Sequence, residues 1–324
     1  MSTCRLVIDV GGTNIRFGAL DPFSSIKMID VFRCRDFVNL EESVSNYCQK
    51  RSITPTQLML AVACPVDKDT VSLTNNPWMF SKKRIVARFG LERLTVINDF
   101  MAQSLASLSL THSGCRTLQP GNPDPRSPIL VVGPGTGLGM GGALMDQSGG
   151  LTLLASEGGH VAAVAQTEME WKIIQYLRSK LGFHVSAERL VSGAGLVSIY
   201  QAICVVKGLP FASVEPQDIA ETRDSDPVAR EALRYFSEFL GTVTADACLT
   251  MGAKGGVFLA GGVIPKLGEA FDADAFLDRF NAKGRLSGFI ADVPVSVIEN
   301  SEAALIGMAQ FFDSPELQAF SLSD

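Results

Sequence analysis

Residues 6–14 read LVIDVGGTN, in which a strand rich in β-branched residues runs straight into a glycine turn. The same pattern recurs at residues 129–139, ILVVGPGTGLG, and at residues 257–262, VFLAGG. Glycine lets backbone N–H groups approach phosphate oxygens closely, because no Cβ intervenes and positive φ angles cost little. One such turn is weak support, but three in this order predict a split phosphate- and nucleotide-binding cleft.

Length and composition predict a soluble protein of about two domains. The chain has 324 residues, and a domain commonly takes about 150. Its 46% apolar and 19% charged residues suit a large buried core. A net charge of -6, with no run of Lys or Arg long enough to override it, argues against a nucleic-acid partner. No apolar stretch reaches the roughly 18 to 20 residues of a membrane span. We also expect no signal peptide, since a strand is predicted from the first residues onward. We therefore expect a cytoplasmic protein without membrane contact.

The cysteines and histidines predict reduced thiols and no structural zinc. Seven cysteines are scattered singly, and none forms a Cys-x-x-Cys pair. This usage is typical of buried, reduced thiols in a cytosolic protein. The sequence contains only three histidines, too few for a zinc site without paired cysteines.

Hydrophobic periodicity predicts an α/β chain in which strands and helices alternate over the first hundred residues. Beyond the apolar runs that enter the glycine turns, strands are predicted at 15–20, 28–33, 58–64, 94–97, 138–145, 151–154 and 293–298. Helices are predicted at 41–51, 82–89, 100–108, 167–181, 193–206, 226–250, 272–280 and 302–312. The Pro-rich, polar residues 111–128 are the best linker candidate. The last helix follows soon after a strand, so we expect it to pack back onto the N-terminal domain.

The first glycine turn combines donors and a carboxylate. Thr13 and Asn14 can donate to phosphate oxygens, and Asp9 can hold a hydrated Mg²⁺, which prefers a carboxylate plus waters. The alternative is a tight hairpin turn in which Asp9 merely ends a strand. No Gly-x-x-x-x-Gly-Lys-Ser/Thr motif occurs, which excludes a P-loop enzyme.

The second glycine turn begins like a dinucleotide fingerprint but does not continue like one. Pro134 and the strand predicted at 138–145 argue against a helix there, and that fingerprint needs a helix to receive the pyrophosphate. Hydride transfer is therefore disfavoured. Thr136 is predicted to bond a transferring phosphoryl group instead.

Asn98 and Asp99 follow an apolar strand at the point where ligands bind in open α/β sheets. Two interpretations remain open from these residues alone. The pair could cap the helix predicted at 100–108, since Asn and Asp are common caps. Alternatively, the carboxylate could accept a proton from a hydroxyl nucleophile.

Two further polar turns are candidates for ligand contact. Residues 156–160, SEGGH, form a compact polar segment around a scarce histidine. The plain alternative is loop geometry with a satisfied histidine. Residues 186–190, SAERL, look like a helix cap with a glutamate in the first turn.

Together these segments resemble the bacterial-type glucokinases, in the superfamily of hexokinases, actin and the heat-shock chaperone ATPases. The resemblance covers essentially the whole chain, and the joint match in order is more specific than any one piece. It is carried by residues 9–14, 97–100, 133–139, 157–161, 186–189 and 260–263. It implies a two-domain, actin-like ATPase (ribonuclease H-like) fold with an interdomain cleft. The small α/β domain would be residues 1–110 plus 300–324, and the large α+β domain residues 111–299.

The resemblance also implies an activity, the ATP-dependent phosphorylation of D-glucose to glucose 6-phosphate, with Mg²⁺ as cofactor. Asp99 would be the general base for the sugar 6-hydroxyl. Asp9 would hold Mg²⁺ through water. The implied substrate contacts are Asn98, Glu157, His160, Glu188, Thr136 and Gly137. The implied nucleotide contacts are Ile8, Asp9, Val10, Gly11, Gly12, Thr13, Asn14, Gly133, Gly135, Thr136, Gly261 and Gly262.

Alternatives stay open around this interpretation. The same scaffold serves kinases of other hexoses or amino sugars, and non-catalytic sugar sensors. Sensors of the superfamily often carry a DNA-binding helix-turn-helix before the first glycine turn, for which Asp9 leaves no space. A related branch of sugar kinases adds a zinc-binding cysteine cluster, but no cysteine lies between Cys115 and Cys204. The phosphoryl donor, ATP or polyphosphate, is not settled by the sequence. A homodimer is expected from the resemblance only.

Overall fold

The computed structural model describes residues 2–73, 76–110, 114–182 and 184–322. The chain divides into two compact units. The first consists of Met1–Gly114, Met145–Ala155 and Asn300–Asp324, and the second of Cys115–Leu144 and Ser156–Glu299. Strands and helices mix throughout, which confirms the predicted α/β class. Among the helices described, none is both long and apolar enough to cross a membrane.

In chain order the strands are β1 (Ser2–Val10), β2 (Asn14–Leu20), β3 (Ile26–Arg33), β4 (Ile53–Val62), β5 (Thr70–Ser72), β6 (Met79–Ser81), β7 (Arg93–Asn98), β8 (Cys115–Gln119), β9 (Ile129–Pro134), β10 (Leu138–Met145), β11 (Leu151–Ser156), β12 (Gly256–Leu259), β13 (Val295–Ile298) and β14 (Ser321–Leu322). The α-helices are α1 (Leu40–Arg51), α2 (Lys82–Phe89), α3 (Asp99–Ser109), α4 (Glu168–Leu181), α5 (Gly193–Lys207), α6 (Pro216–Glu221), α7 (Pro227–Met251), α8 (Val263–Leu267), α9 (Ala273–Asn281), α10 (Ser287–Ala291) and α11 (Ala303–Gln310).

The main sheet of the first unit has the strand order β14-β7-β4-β1-β2-β3. Strands β1, β4 and β7 are parallel neighbours, whereas β2 folds back antiparallel on β1 across the first glycine turn. A parallel strand needs a crossover connection, which α1 supplies between β3 and β4 and α2 supplies before β7. The sheet therefore combines a hairpin with a parallel core.

The sheet of the second unit repeats this arrangement. The strands of this sheet that lie in the second unit run in the order β10-β9-β12-β13-β8, with β9, β12 and β13 parallel. Strand β10 folds back antiparallel on β9 across the second glycine turn. Each unit thus places a glycine turn between a parallel strand and its antiparallel partner.

Side-chain caps define where the long helices begin. Thr167 and Glu170 form a capping box at the start of α4, in which each side chain bonds the other's backbone N–H. Asp226 caps α7 by accepting from Val228 N, and Pro227 occupies the first helical position, where its missing N–H costs nothing. Gly252 ends α7 in the left-handed region at φ 63°. These ends agree with the sequence prediction for this helix.

Each unit has its own apolar core built around aromatic side chains. In the first unit, Phe17 and Tyr47 stack with ring centroids 4.6 Å apart, and both are fully buried. Trp78 is also buried, and its indole N–H donates to the carbonyl of Phe37 at 3.4 Å. In the second unit a larger cluster contains Phe236, Leu240, Phe276 and Phe280. Its tryptophan, Trp171 on α4, lies on the surface with 53% of its area exposed.

The linker prediction for residues 111–128 is wrong in part, because β8 lies within it. This strand pairs antiparallel with β13 at the sheet edge. Its side chains are mostly polar and none is buried, so an alternation test could not find it. Gln119 anchors its end by donating to the carbonyl of Val293 at 2.9 Å. Thr111, His112 and Ser113 lie outside the described residues.

Strand β4 begins at Ile53 rather than at Leu58, so it is longer than predicted and ends at Val62 rather than Cys64. Proline cannot donate to a ladder, so Pro55 weakens the strand signal of residues 53–57. The structure accommodates it because the partner strand β7 begins opposite Gln57, beyond the proline. The register shift against β1 next to Cys4 falls at the same point.

The C-terminal segment packs within the first unit. Helix α11 lies on α3, and a Cβ built on Gly307 would stand 2.3 Å from the backbone nitrogen of Ala106. Arg5 on β1 also pairs with Asp313 at 2.5 Å. Glycine is therefore needed at residue 307 to let the two helix backbones approach.

We expect Gly307→Ala to lower the free energy of unfolding by about 1 to 3 kcal/mol, because the added methyl meets backbone that cannot move aside. Urea unfolding followed by circular dichroism measures the change. Gly288→Ala is the matched control, since nothing lies within 4 Å of its Cβ position in α10. That variant should gain up to about 1 kcal/mol from helix propensity. Equal effects of the two substitutions would contradict the packing argument.

Candidate active site

The carboxyl edge of the first unit's sheet carries two of the predicted segments. Val10 pairs with Val62 in the register of β1 and β4, and Val62 pairs with Asn98 in the register of β4 and β7. The three parallel strands therefore end at the same edge of the sheet. The first glycine turn follows β1 at Gly11, and Asp99 follows β7. Because one strand separates β1 from β7, these segments stand about 10 Å apart along the edge. The parallel pairing thus brings together residues separated by almost ninety positions in the sequence.

The first turn is closed by a backbone hydrogen bond from Gly11 N to the carbonyl of Asn14, 2.9 Å long. The side chain of Thr13 is exposed at its tip. Ile8 and Val10 have their side chains buried in the core, so only their backbone groups could contact a ligand. Gly12 is partly exposed.

Asp9 lies next to this turn and forms an ion pair that the sequence analysis missed. Arg16 Nη1 is 3.1 Å from Asp9 Oδ2, and the two residues are cross-strand partners on β1 and β2. The hairpin register would have indicated the pair. Burial raises the pKa of the Asp9 carboxyl, and Arg16 offsets only part of that effect.

A partly buried carboxylate suits a magnesium ion that keeps most of its waters. Among the described residues, no group of three or more His, Cys, Asp and Glu side chains is placed to hold a metal ion. A magnesium ion that Asp9 holds through water, and that takes its remaining contacts from phosphates, would need no such group of side chains.

Asn98 is the N-cap of α3, as the capping interpretation predicted. Its Oδ1 accepts from Phe100 N at 2.8 Å, and Oδ1 of Asp99 accepts from the same N–H at 3.0 Å. The Asn98 amide also lies 3.5 Å from the carbonyl of Cys64, which follows β4 at the same sheet edge. Asp99 is therefore the first residue of a helix whose start is fixed by its neighbour.

The second and third glycine turns are packed on each other in the second unit. Ala260 N donates to the carbonyl of Val132 at 2.8 Å. Gly261 has φ 80°, and a Cβ there would stand 2.5 Å from the carbonyl oxygen of Pro134. Gly262 follows and leads into α8. Only glycine permits this approach of two backbones.

The second turn is also joined to the start of α5. Gly135 N donates to the carbonyl of Gly137 at 2.7 Å, and the carbonyl of Gly135 accepts from Gly193 N at 3.1 Å. Thr136 is exposed at the tip. Gly133 remains in β9, where it pairs with Gly139. The contact with Gly193 was not predicted, although Ser192 and Gly193 are a recognisable helix-start signal.

Glu157 and His160 lie at the two ends of one short 3₁₀ turn, and both side chains are exposed. His160 N donates to the carbonyl of Glu157 at 3.0 Å. His184, which the sequence analysis did not assign, donates through Nε2 to the carbonyl of His160 at 2.9 Å.

Glu188 lies in a second 3₁₀ turn, Ala187–Arg189. The sequence predicted a helix cap here, but the turn does not continue as a helix, and Ser186 makes no side-chain capping bond. Instead, the backbone of this turn is hydrogen-bonded to the segment after His160: Ala187 N donates to the carbonyl of Val161 at 2.8 Å. The structure thus brings Glu188 close to the 157–160 turn.

Two cavities border these turns within the second unit. A polar one of about 160 Å³ is lined by Thr136 and Glu188, together with residues of α4 and α5. A larger one of about 360 Å³ lies behind the 157–160 turn and is lined mainly by apolar side chains of α7 and residues 161–164. None of the predicted catalytic or sugar-binding side chains lines the larger cavity, so the polar one is the better indicator of the site.

A glucokinase family model matches residues 6–315. The chain belongs to the glucokinase family. The glucokinase of Paramagnetospirillum magneticum is 39% identical over 321 residues, covering 98% of this chain and 99% of that one. The glucokinase of Helicobacter acinonychis is 40% identical over 316 residues, covering 94% of each.

Solved structures agree with this family assignment. A glucokinase from an Antarctic psychrotroph is 32% identical and superposes with a TM-score of 0.84, over 96% of this chain and 99% of that one. The glucokinase resemblance inferred from the sequence is confirmed, and so is the actin-like ATPase fold.

For this glucokinase-family chain we expect Asp9→Asn to gain stability relative to wild type as the pH rises. The raised pKa means that the folded state holds the Asp9 proton more tightly than the unfolded state does. That contribution is complete below the unfolded pKa, near 4, and is lost as the pH rises through the folded pKa. Unfolding free energies measured from about pH 3 to pH 7 test this.

Asp313→Asn should show the opposite trend. Burial alone would raise the pKa of Asp313, but hydrogen bonds from Arg93 and Arg5 lower it overall. Its contribution is present above the unfolded pKa and is lost as the pH falls through the folded pKa. Parallel pH profiles for the two variants would contradict the assignment of opposite shifts.

Proposed function

We propose that this chain transfers the terminal phosphoryl group of ATP to O6 of D-glucose, with Asp99 as the general base. The observation that carries the proposal is the common edge of β1, β4 and β7, where the first glycine turn and Asp99 follow strands about 10 Å apart. Membership of the glucokinase family supports the substrates.

In the proposed reaction Asp99 takes the proton from the 6-hydroxyl as O6 forms a bond to the terminal phosphorus. The bond from that phosphorus to the bridging oxygen breaks, and ADP leaves. Such transition states are loose, so the protein contributes chiefly positioning and charge stabilisation. The helix start fixed by Asn98 supports the positioning of Asp99.

The glycine turns would supply backbone donors to the phosphates without rearrangement during the reaction. Magnesium, when bound, supplies charge neutralisation at the terminal phosphates, and Asp9 would hold it through water. Thr13 and Thr136 are exposed at the tips of their turns, where their hydroxyls are available to phosphate oxygens. We propose Gly261 and Gly262 for contact near the adenosine.

Sugar recognition is assigned to Asn98, Glu157, His160 and Glu188. Carboxylates accept hydrogen bonds from sugar hydroxyls, and an amide can both accept and donate. A polar group left unmatched in a closed site is costly. Support comes from the two adjacent 3₁₀ turns that carry Glu157, His160 and Glu188. The sequence-based domain limits, 1–110 with 300–324 and 111–299, stay predictions, as do a homodimer and a cytoplasmic location.

We expect Asp99→Asn to lower kcat by about 10²- to 10⁴-fold while glucose affinity changes little, because a general base acts in the transition state. A coupled assay for glucose 6-phosphate with Mg-ATP gives kcat, and calorimetry gives glucose affinity. Glu92→Gln, just before the opposite end of β7, is the control and should keep wild-type turnover. Near-normal turnover of a folded Asp99→Asn protein would remove this residue from the mechanism.

We expect Glu157→Gln and Glu188→Gln to raise KM for glucose by more than KM for ATP, since each removes an acceptor for a sugar hydroxyl. Glu168→Gln on the exposed face of α4 is the control in the same unit. A panel of glucose, mannose and amino sugars should show the highest kcat/KM for glucose. Preference for another hexose would correct the substrate, and sugar binding without turnover would indicate a sensor.

A further inference from the structure

Gly137 and Glu188 are in close contact across fifty residues of sequence. A Cβ built on Gly137 would stand 2.2 Å from Glu188 Oε2 and 3.0 Å from Glu188 Cδ. The next residue, Leu138, donates its backbone N–H to the same Oε2 at 3.0 Å. The carboxylate of Glu188 therefore rests directly on the bare backbone of the second glycine turn.

Leu138 also supports the other turn assigned to sugar recognition. A Cβ on Gly159, between Glu157 and His160, would stand 1.9 Å from the carbonyl oxygen of Leu138. The N–H of Leu138 thus holds one turn while its carbonyl lies against the other. Both contacts need glycine, and both lie within the second unit.

We propose that Gly137 and Leu138 are positioning residues for sugar recognition, which aim the Glu188 carboxylate from within the phosphate-binding turn. The inference rests on the proposed function, in which Glu188 contacts the sugar. In this proposal, Gly137 affects sugar binding because its missing side chain leaves room for the Glu188 carboxylate. The hydrogen bond from Leu138 N couples the position of the Glu188 carboxylate to that of the turn.

Gly137→Ala tests this, since the added methyl must displace the carboxylate. We expect the glucose Kd from calorimetry and KM for glucose to rise about tenfold or more, as small misplacements at a site are costly. KM for ATP should change by less than about threefold, which separates the sugar from the nucleotide.

Gly135→Ala is the matched comparison in the same turn, because its Cβ would find nothing closer than 4.0 Å. Any effect of this variant should fall on KM for ATP and leave glucose binding unchanged. Equal rises in glucose Kd for the two variants would overturn the proposal. A wild-type protein that neither binds nor phosphorylates glucose would instead refute the proposed function itself.

Glu188→Asp shortens the side chain that would clash with the new methyl group by one methylene, so it can serve as a rescue variant for Gly137→Ala. In the Gly137→Ala background it should restore part of the lost glucose affinity, although alone it weakens binding. Such non-additivity is expected of residues in contact and not of distant, independent sites. Should Gly137→Ala fail to fold, the double variant still gives the comparison with Glu188→Asp alone. Additive losses would contradict direct positioning.

Discussion

The approach of Gly261 to the carbonyl of Pro134 is the contact on which the candidate site of the second unit depends. Two strand ends can lie this close only if one residue lacks a Cβ and adopts a positive φ angle. The contact sets the third glycine turn against the second, and Gly193 then adds the start of α5 to the same cluster. Backbone amides become concentrated there because side chains are excluded.

The two units reach similar local geometry from different sequences. In each, a parallel strand leads into a glycine turn and returns as an antiparallel partner: β1 into β2, and β9 into β10. A further parallel strand lies on the other side, β4 in the first unit and β12 in the second. The recurrence in the sequence of a strand that runs into a glycine turn, at residues 6–14 and 129–139, therefore corresponds to a repeated piece of architecture. The second unit differs in its helices, which supply most of its core.

Much of this could be predicted because local chemistry decides it. Strand β10 has the limits that were predicted for it. Its glycines and apolar residues, which follow Pro134, are unlike the start of a helix. Helix α7 matches because Asp226, Pro227 and Gly252 are local signals. Strand β8 was not predicted, because its pairing partner, β13, lies more than 170 residues away in the sequence. The hydrogen bond from Leu138 N to Glu188 depends on tertiary packing, which spacing along the chain does not encode. The pair of Arg16 with Asp9 follows instead from the register of a hairpin, and the sequence could have indicated it.

The placement of the two tryptophans has a spectroscopic consequence. Trp78 is buried in the core of the first unit, whereas Trp171 is exposed to solvent on the surface of the second unit even in the folded state. Loss of the first unit's packing would shift indole emission to longer wavelength, while the emission of Trp171 would change little. Tryptophan fluorescence consequently reports chiefly on the first unit, and a melting curve recorded that way describes mainly the unfolding of that unit.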